Sequence, residues 1–148
     1  MGIADHIKAK FKDDHHQAIV NLRFTSNWLG GYYNQQLQQF NLTLPQFNIL
    51  RILRGAGEGI SVQTVKERML EPSPNTTRLI DKLAEKGFVI RMQSNSDKRV
   101  RNLEITEQGL TILSQVDEVF DEMSLKDNLT QQEAKQLNIL LDKLRNDE

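Results

Sequence analysis

The chain contains no cysteine, which excludes disulfides, thiolate metal sites and thiol-based redox sensing. It has no apolar run near the ~20 residues needed to span a bilayer. Residues 1–16 lack the apolar core and small-residue cleavage site of a secretory signal. The Met-Gly start only partly matches a myristoylation signal, because position six is His6 rather than Ser or Thr. These absences predict a cytoplasmic protein with no membrane partner. Histidine is scarce: His6, His15 and His16 are the only three. The adjacent pair points to different helix faces and does not form the i, i+4 arrangement that grips a metal. "GAGEGI", residues 55–60, is rich in glycine but follows a helix and lacks the Gly-Lys-Ser/Thr ending of a phosphate loop. No nucleophile, base and orienting residue can be assembled. No enzyme activity, cofactor or metal is expected.

What is present suits a folded protein. The 148 residues are 38% hydrophobic and 26% charged, enough for one domain or one domain with an added helical layer. The net charge of −1 conceals an uneven distribution. Residues 62–101 hold nine basic residues against five acidic ones, a balance of +4. From Glu104 onward there are four bases against eleven acids, a balance of −7. A basic middle beside an acidic tail is expected when one part touches phosphate and another does not.

Periodicity supplies the elements. Residues 14–40 read as one long helix, with Leu22, Leu29, Tyr33, Leu37 and Phe40 on one stripe. Gly30-Gly31 interrupts it at a propensity cost of about 2 kcal/mol, and a kink or a close contact is expected there. Thr43 and Gln46 form a capping box, with Leu42 and Phe47 as a hydrophobic staple and Pro45 in the first turn. They open a second helix over residues 44–54. Ile60 fits a short strand, and Ser61 caps a third helix through Met69. Ser73 caps a fourth, with Pro74 at its first position, running to about Lys86 with Gly87 as its stop. "FVIRM" and "VRNLEI" are two strands. Thr106 opens a helix to about Leu125, and a Thr130/Glu133 capping box opens the last. There is no internal repeat. Three short helices followed by a hairpin make a winged helix-turn-helix. The predicted fold is mainly α with a small β-hairpin wing (α+β). Residues 1–40 form an arm and dimerisation helix, 41–105 the DNA-binding lobe, and 106–148 the C-terminal dimerisation helices.

In such a fold the second helix of the helix-turn-helix reads the major groove from its N-terminal turns. Stepping 100° per residue around the fourth helix, with Leu83 at the centre of the buried side, places Leu79, Ile80 and Thr76 inward. Pro74, Thr77, Arg78, Asp81 and Glu85 face outward, with Asn75 and Lys82 at the edges. Asn can read adenine and Arg guanine, while Thr can touch base or phosphate. Arg78 could instead pair with Asp81 three residues on. On the hairpin, Lys98, Arg99 and Arg101 crowd the returning strand. Arginine suits a narrow minor groove, and Asp97 could orient Arg99. The candidate DNA contacts are Ser73, Asn75, Thr77, Arg78, Lys82, Lys98, Arg99 and Arg101. A soluble charged hairpin is the bland alternative.

Three motifs then carry a resemblance. "DKRVRNLEITEQG", residues 97–109, resembles the wing signature of the multiple-antibiotic-resistance regulator (MarR) family, usually Asp-Arg-Arg and then a strand ending in Leu-Thr-x-x-Gly. "NLTLPQFNIL" resembles the start of that family's second helix, and "TTRLIDKLAEKGFVIR" its recognition helix and first wing strand. The likeness covers about residues 20–145. It implies a dimeric transcriptional regulator, often a repressor, that binds double-stranded DNA at a pseudo-palindromic operator. Its DNA affinity would be lowered by a small, frequently phenolic, ligand. By position, Arg99 matches the wing arginine that enters the minor groove, and Asp97 the aspartate that holds it. Asn75, Thr76, Thr77 and Arg78 fall in the base- and phosphate-contacting segment, though helical phase turns Thr76 inward. Lys98 stands where arginine is commoner.

The homodimer interface is expected from Phe11, Phe120, Met123, Leu137, Leu140, Leu141 and Leu144, a leucine stripe that one small domain would struggle to cover. The implied effector cleft would draw on Trp28, Tyr32, Tyr33 and Phe47, although aromatics at helical spacing also fit a plain core. The rival function is a winged-helix protein-interaction module that does not bind DNA.

Overall fold

In a computed structural model, which describes residues 1–71, 73–93, 101–122 and 124–146, short polar signals set most of the helix starts. The chain forms two compact units, Met1–Leu113 and Ser114–Glu148. The first unit begins with a short helix, α1 (Ile3–Ile7), that periodicity did not predict; its Ile3 is buried. Helix α2 (Asp14–Leu37) starts where the Asp13 carboxylate accepts the His16 N–H at 2.8 Å. It runs unbroken through Gly30 and Gly31, and a Cβ at either position would meet no atom within 4 Å. Among the described residues the expected close contact is therefore absent: these glycines cost helix propensity and border open space. The last turn tightens to a 3-10 helix (Gln38–Phe40), ended by Asn41 in the left-handed region, which Asn tolerates better than most residues.

The Thr43/Gln46 box forms as predicted, with N–H to side-chain oxygen distances of 3.3 and 3.0 Å. Helix α3 (Leu44–Ala56) runs two residues beyond the expected end, because Gly57 and not Gly55 takes the positive φ that closes it. Strand β1 (Ile60–Ser61) leads into α4 (Val62–Arg68), where Ser61 Oγ accepts the Thr64 N–H at 3.1 Å. Helix α5 (Thr76–Glu85) begins two residues later than predicted. Ser73 Oγ accepts the Asn75 N–H at 3.3 Å, and Thr76 Oγ1 donates to the Ser73 carbonyl at 2.9 Å. These hydroxyls hold a local turn around Pro74 that competes with the helix for its first residues. At the other end Gly87 adopts φ +79°, and the Phe88 N–H reaches back to the Leu83 carbonyl at 3.0 Å.

Strands β2 (Val89–Gln93) and β3 (Arg101–Ile105) complete an antiparallel sheet of order β1-β3-β2. Val89 lies opposite Ile105, Arg91 opposite Leu103, and Gln93 opposite Arg101. α5 packs on α3 and β2, and α3 also packs on β3. Leu37, Ile49, Leu50, Leu53, Val65, Ile80, Leu83, Val89 and Leu103 form the buried core among them.

Helix α6 (Glu107–Glu122) stops short of the predicted Leu125 and is followed by a 3-10 turn (Ser124–Asn128). Helix α7 (Gln131–Arg145) opens on the predicted Thr130/Glu133 box, whose bonds measure 3.2 and 2.8 Å. Where α6 begins, Thr106 binds three neighbours at once. Its hydroxyl donates to the Gly87 carbonyl at 2.6 Å and accepts the Gly109 N–H at 3.1 Å. Its own N–H donates to the Phe88 carbonyl at 3.0 Å. Gly109 is needed because a Cβ there would lie 2.5 Å from the Phe88 carbonyl oxygen and 2.7 Å from Ile105 Cγ1. The Thr-x-x-Gly motif is thus a close-packed junction between the end of α5 and the start of α6. Gly109→Ala is expected to lower stability by roughly 2 kcal/mol, the scale of overpacking a tight site. An unchanged urea midpoint would show that the junction yields without cost.

Candidate nucleic-acid interface

The rotation of α5 decides which residues can meet a ligand. Thr76 is 1% exposed, and Ile80 and Leu83 are 0% exposed, so these three mark the inward side. Asn75, Thr77, Arg78, Asp81, Lys82 and Glu85 are exposed, and Ser73 is half-buried. This is the division that a 100° step predicts. Thr76 cannot read a base: its hydroxyl lies on the Ser73 carbonyl and, at 3.5 Å, on Met69 Sδ. The exposed first turns offer the amide of Asn75, the hydroxyl of Thr77 and the guanidinium of Arg78.

The described basic residues of 62–101 fall into two groups. Lys86 Nζ donates to the Asn41 carbonyl, and Arg91 Nη2 donates to Asp81 Oδ1. These two cations are engaged within the lobe. The side chains of Lys66, Arg68, Arg78, Lys82 and Arg101 make no hydrogen bond or ion pair among the described residues. The Arg78–Asp81 pair that helical spacing permits is not formed, because Asp81 faces Arg91 instead. Cations without internal partners keep their charge available to a phosphate.

Arg101 opens β3, exposed and opposite Gln93. The wing-tip candidates Asp97, Lys98 and Arg99 lie outside the described residues, as does Met123. Among the aromatic candidates, Trp28 and Tyr32 stack with centroids 5.7 Å apart and planes inclined by 14°, and Tyr33 tilts against Tyr32 at 6.4 Å. Phe47 is buried, with the Arg51 guanidinium 5.8 Å from its ring centre. Of the interface candidates, Phe11 sets its ring edgewise to His16 at 5.7 Å. In the second unit, Leu137, Leu140 and Leu144 are 45%, 54% and 53% exposed, while Phe120 and Leu141 are half-buried.

Sequence reasoning missed the roles of Arg91 and Lys86, which it counted only as charges. The signal for Arg91 was strand alternation. It lies two residues past Val89, on the sheet face that carries the core, where a charge needs a partner.

Comparison with known proteins agrees with this geometry. Residues 42–100 match the MarR family model. The chain is 27% identical over 113 residues to the HTH-type transcriptional regulator MgrA of Staphylococcus aureus, covering 76% of each chain. Its fold resembles that of S. aureus MepR in a complex with DNA (TM-score 0.78, 22% identity, 90% of this chain and 98% of that one). It also resembles an E. coli MarR mutant complexed with operator DNA (TM-score 0.75, 25% identity, 97% and 99%). The matched stretch spans the second predicted helix to the wing, and the relatives extend the likeness along most of the chain: in sequence and in fold the protein is similar to the MarR family of winged-helix transcription regulators.

Proposed function

We propose that this protein is a DNA-binding transcription regulator that acts as a homodimer, with α5 in the major groove and the hairpin wing along the minor groove. The observation that carries this reading is the outward face of α5, where Asn75, Thr77 and Arg78 stand exposed. Arg78 and Lys82 make no internal ion pair among the described residues. A twofold pair of such subunits matches a pseudo-palindromic operator. The E. coli relative complexed with operator DNA supports the same partner. Repression is the expected outcome on the family resemblance, as is the entry of Arg99 into the minor groove with Asp97 as its support. Such a regulator works beside the chromosome, in the cytoplasm of a bacterial cell. Among the described residues, no helix is long and apolar enough to cross a membrane.

Titration of a promoter duplex over a salt series tests the DNA reading. Log affinity should fall against log salt with a slope of about −4 or steeper, as several phosphate contacts per dimer require. Arg78→Ala should weaken binding by roughly tenfold or more, with relaxed base preference if the contact is to a base. Absence of binding in dilute salt, or indifference to salt, would favour a protein-interaction module.

The dimer reading rests on the leucine stripe of α7. Leu140 and Leu144 are exposed and four residues apart, so they share a face. Replacing both with Asp should leave the helical content unchanged and halve the mass seen in sedimentation. A persistent dimer would refute this interface.

Release by a small aromatic ligand is the finer part of the proposal. Trp28 is the chain's single tryptophan, and it stacks on Tyr32 while remaining 48% exposed. A phenolic ligand seated against these rings should quench tryptophan emission saturably and weaken DNA binding over the same concentration range. Quenching that rises linearly without saturation would be collisional and would remove this site.

A further inference from the structure

Asp81 is an awkward residue for a phosphate-facing helix. It lies on the exposed side of α5, three residues from Arg78 and four from Glu85. A carboxylate there can repel DNA, and it can also draw the guanidinium of Arg78 along the helix surface. In the structure the carboxylate does not engage Arg78: Asp81 Oδ1 accepts a hydrogen bond from Arg91 Nη2 instead. The position of Arg91 follows from the sheet. It lies opposite the buried Leu103 and two residues past the buried Val89, so it shares the core-facing side of β2. It stands where that side leaves the core, with its side chain 31% exposed against 52% for Asp81. A planar guanidinium on a strand holds a carboxylate with more geometric definition than a mobile ammonium would.

We propose that Arg91 is a positioning residue for DNA recognition: by holding the Asp81 carboxylate, it keeps Arg78 free for DNA and removes a negative charge from the phosphate-facing side of α5. This inference rests on the DNA-binding reading above. Arg91 itself touches no base in this account. It acts through Asp81 and Arg78, and the remaining charged groups on that side of α5 are Lys82 and Glu85.

The alternative is that the pair merely fastens the wing strand to α5. The two accounts differ in sign at Asp81. If the pair is only a fastener, Asp81→Asn and Arg91→Gln damage binding alike, and combining them restores nothing. If Arg91 neutralises and occupies Asp81, removing the carboxylate removes the need for Arg91. The test uses the full-length dimer and a promoter duplex that the parent binds, at fixed moderate salt, with thermal melts alongside. Arg91→Gln should weaken binding roughly tenfold. Asp81→Asn alone should bind no more weakly than the parent. The double variant should return to within about threefold of the parent, a coupling well outside simple additivity. Glu85→Gln in the Arg91→Gln background should fail to restore binding, since it alters net charge equally but leaves Asp81 uncovered. Several results would overturn the proposal: Asp81→Asn as weak as Arg91→Gln, no recovery in the double variant, or equal rescue by Glu85→Gln. The Asp81→Asn result decides the matter even if Arg91→Gln folds poorly. A parent that ignores DNA in dilute salt would remove the DNA reading and this inference together, whereas a binding parent without rescue removes this inference alone.

Discussion

The buried underside of α5 sets the direction of everything the helix presents. Thr76, Ile80 and Leu83 lie on it, and the burial of the last two side chains contributes roughly 3–6 kcal/mol. No single surface cation on the opposite side can compete with that, so the helix cannot rotate to suit its charges. Its ends are tied as well. The Thr76 hydroxyl holds the Ser73 carbonyl at the start. At the finish the Phe88 N–H holds the Leu83 carbonyl, and Thr106 holds the Gly87 and Phe88 carbonyls. Lys86 adds a bond to the Asn41 carbonyl at the turn before α3. A side chain that must meet a base edge needs a support with little freedom, and these contacts supply it without using any residue of the outward face.

Local rules were legible and longer-range ones were not. The Thr43/Gln46 and Thr130/Glu133 boxes could be read because a capping box involves only four consecutive residues. The two faces of α5 could be read because helical phase is fixed once one buried residue is chosen. The start of α5 was misplaced although Ser73 and Pro74 satisfy every rule for a helix opening. The decision lay with the hydroxyl of Thr76, which turns back to the Ser73 carbonyl. Gly30 and Gly31 suggested a close neighbour, but a missing Cβ signals only that a contact is permitted, and none is made among the described residues. The Arg91–Asp81 pair joins residues ten apart across a helix end and a turn. It depends on strand register, which one sequence does not state. Asp97, Lys98 and Arg99 were picked out by the charge pattern of the hairpin and matched to the family motif, and they lie outside the described residues.

The charge distribution gains a sharper meaning once internal pairing is known. Among the described residues, two of the seven cations in residues 62–101 serve the lobe itself. One of them, Arg91, also cancels an acid on the side of α5 that carries Arg78. The cationic character of the outward surface therefore depends on which acids are paired as well as on the number of bases. The same reasoning explains how a chain of net charge −1 can suit a polyanion. Its acids are concentrated from Glu104 onward, where the exposed stripe of Leu137, Leu140 and Leu144 asks for an apolar partner. Acids beside that stripe discourage phosphate from approaching it, while leucine packing is indifferent to their sign. In the proposed dimer, then, self-association and DNA binding draw on different physical forces. Raising the salt weakens the second far more than the first, so the subunits stay paired under conditions that release the operator.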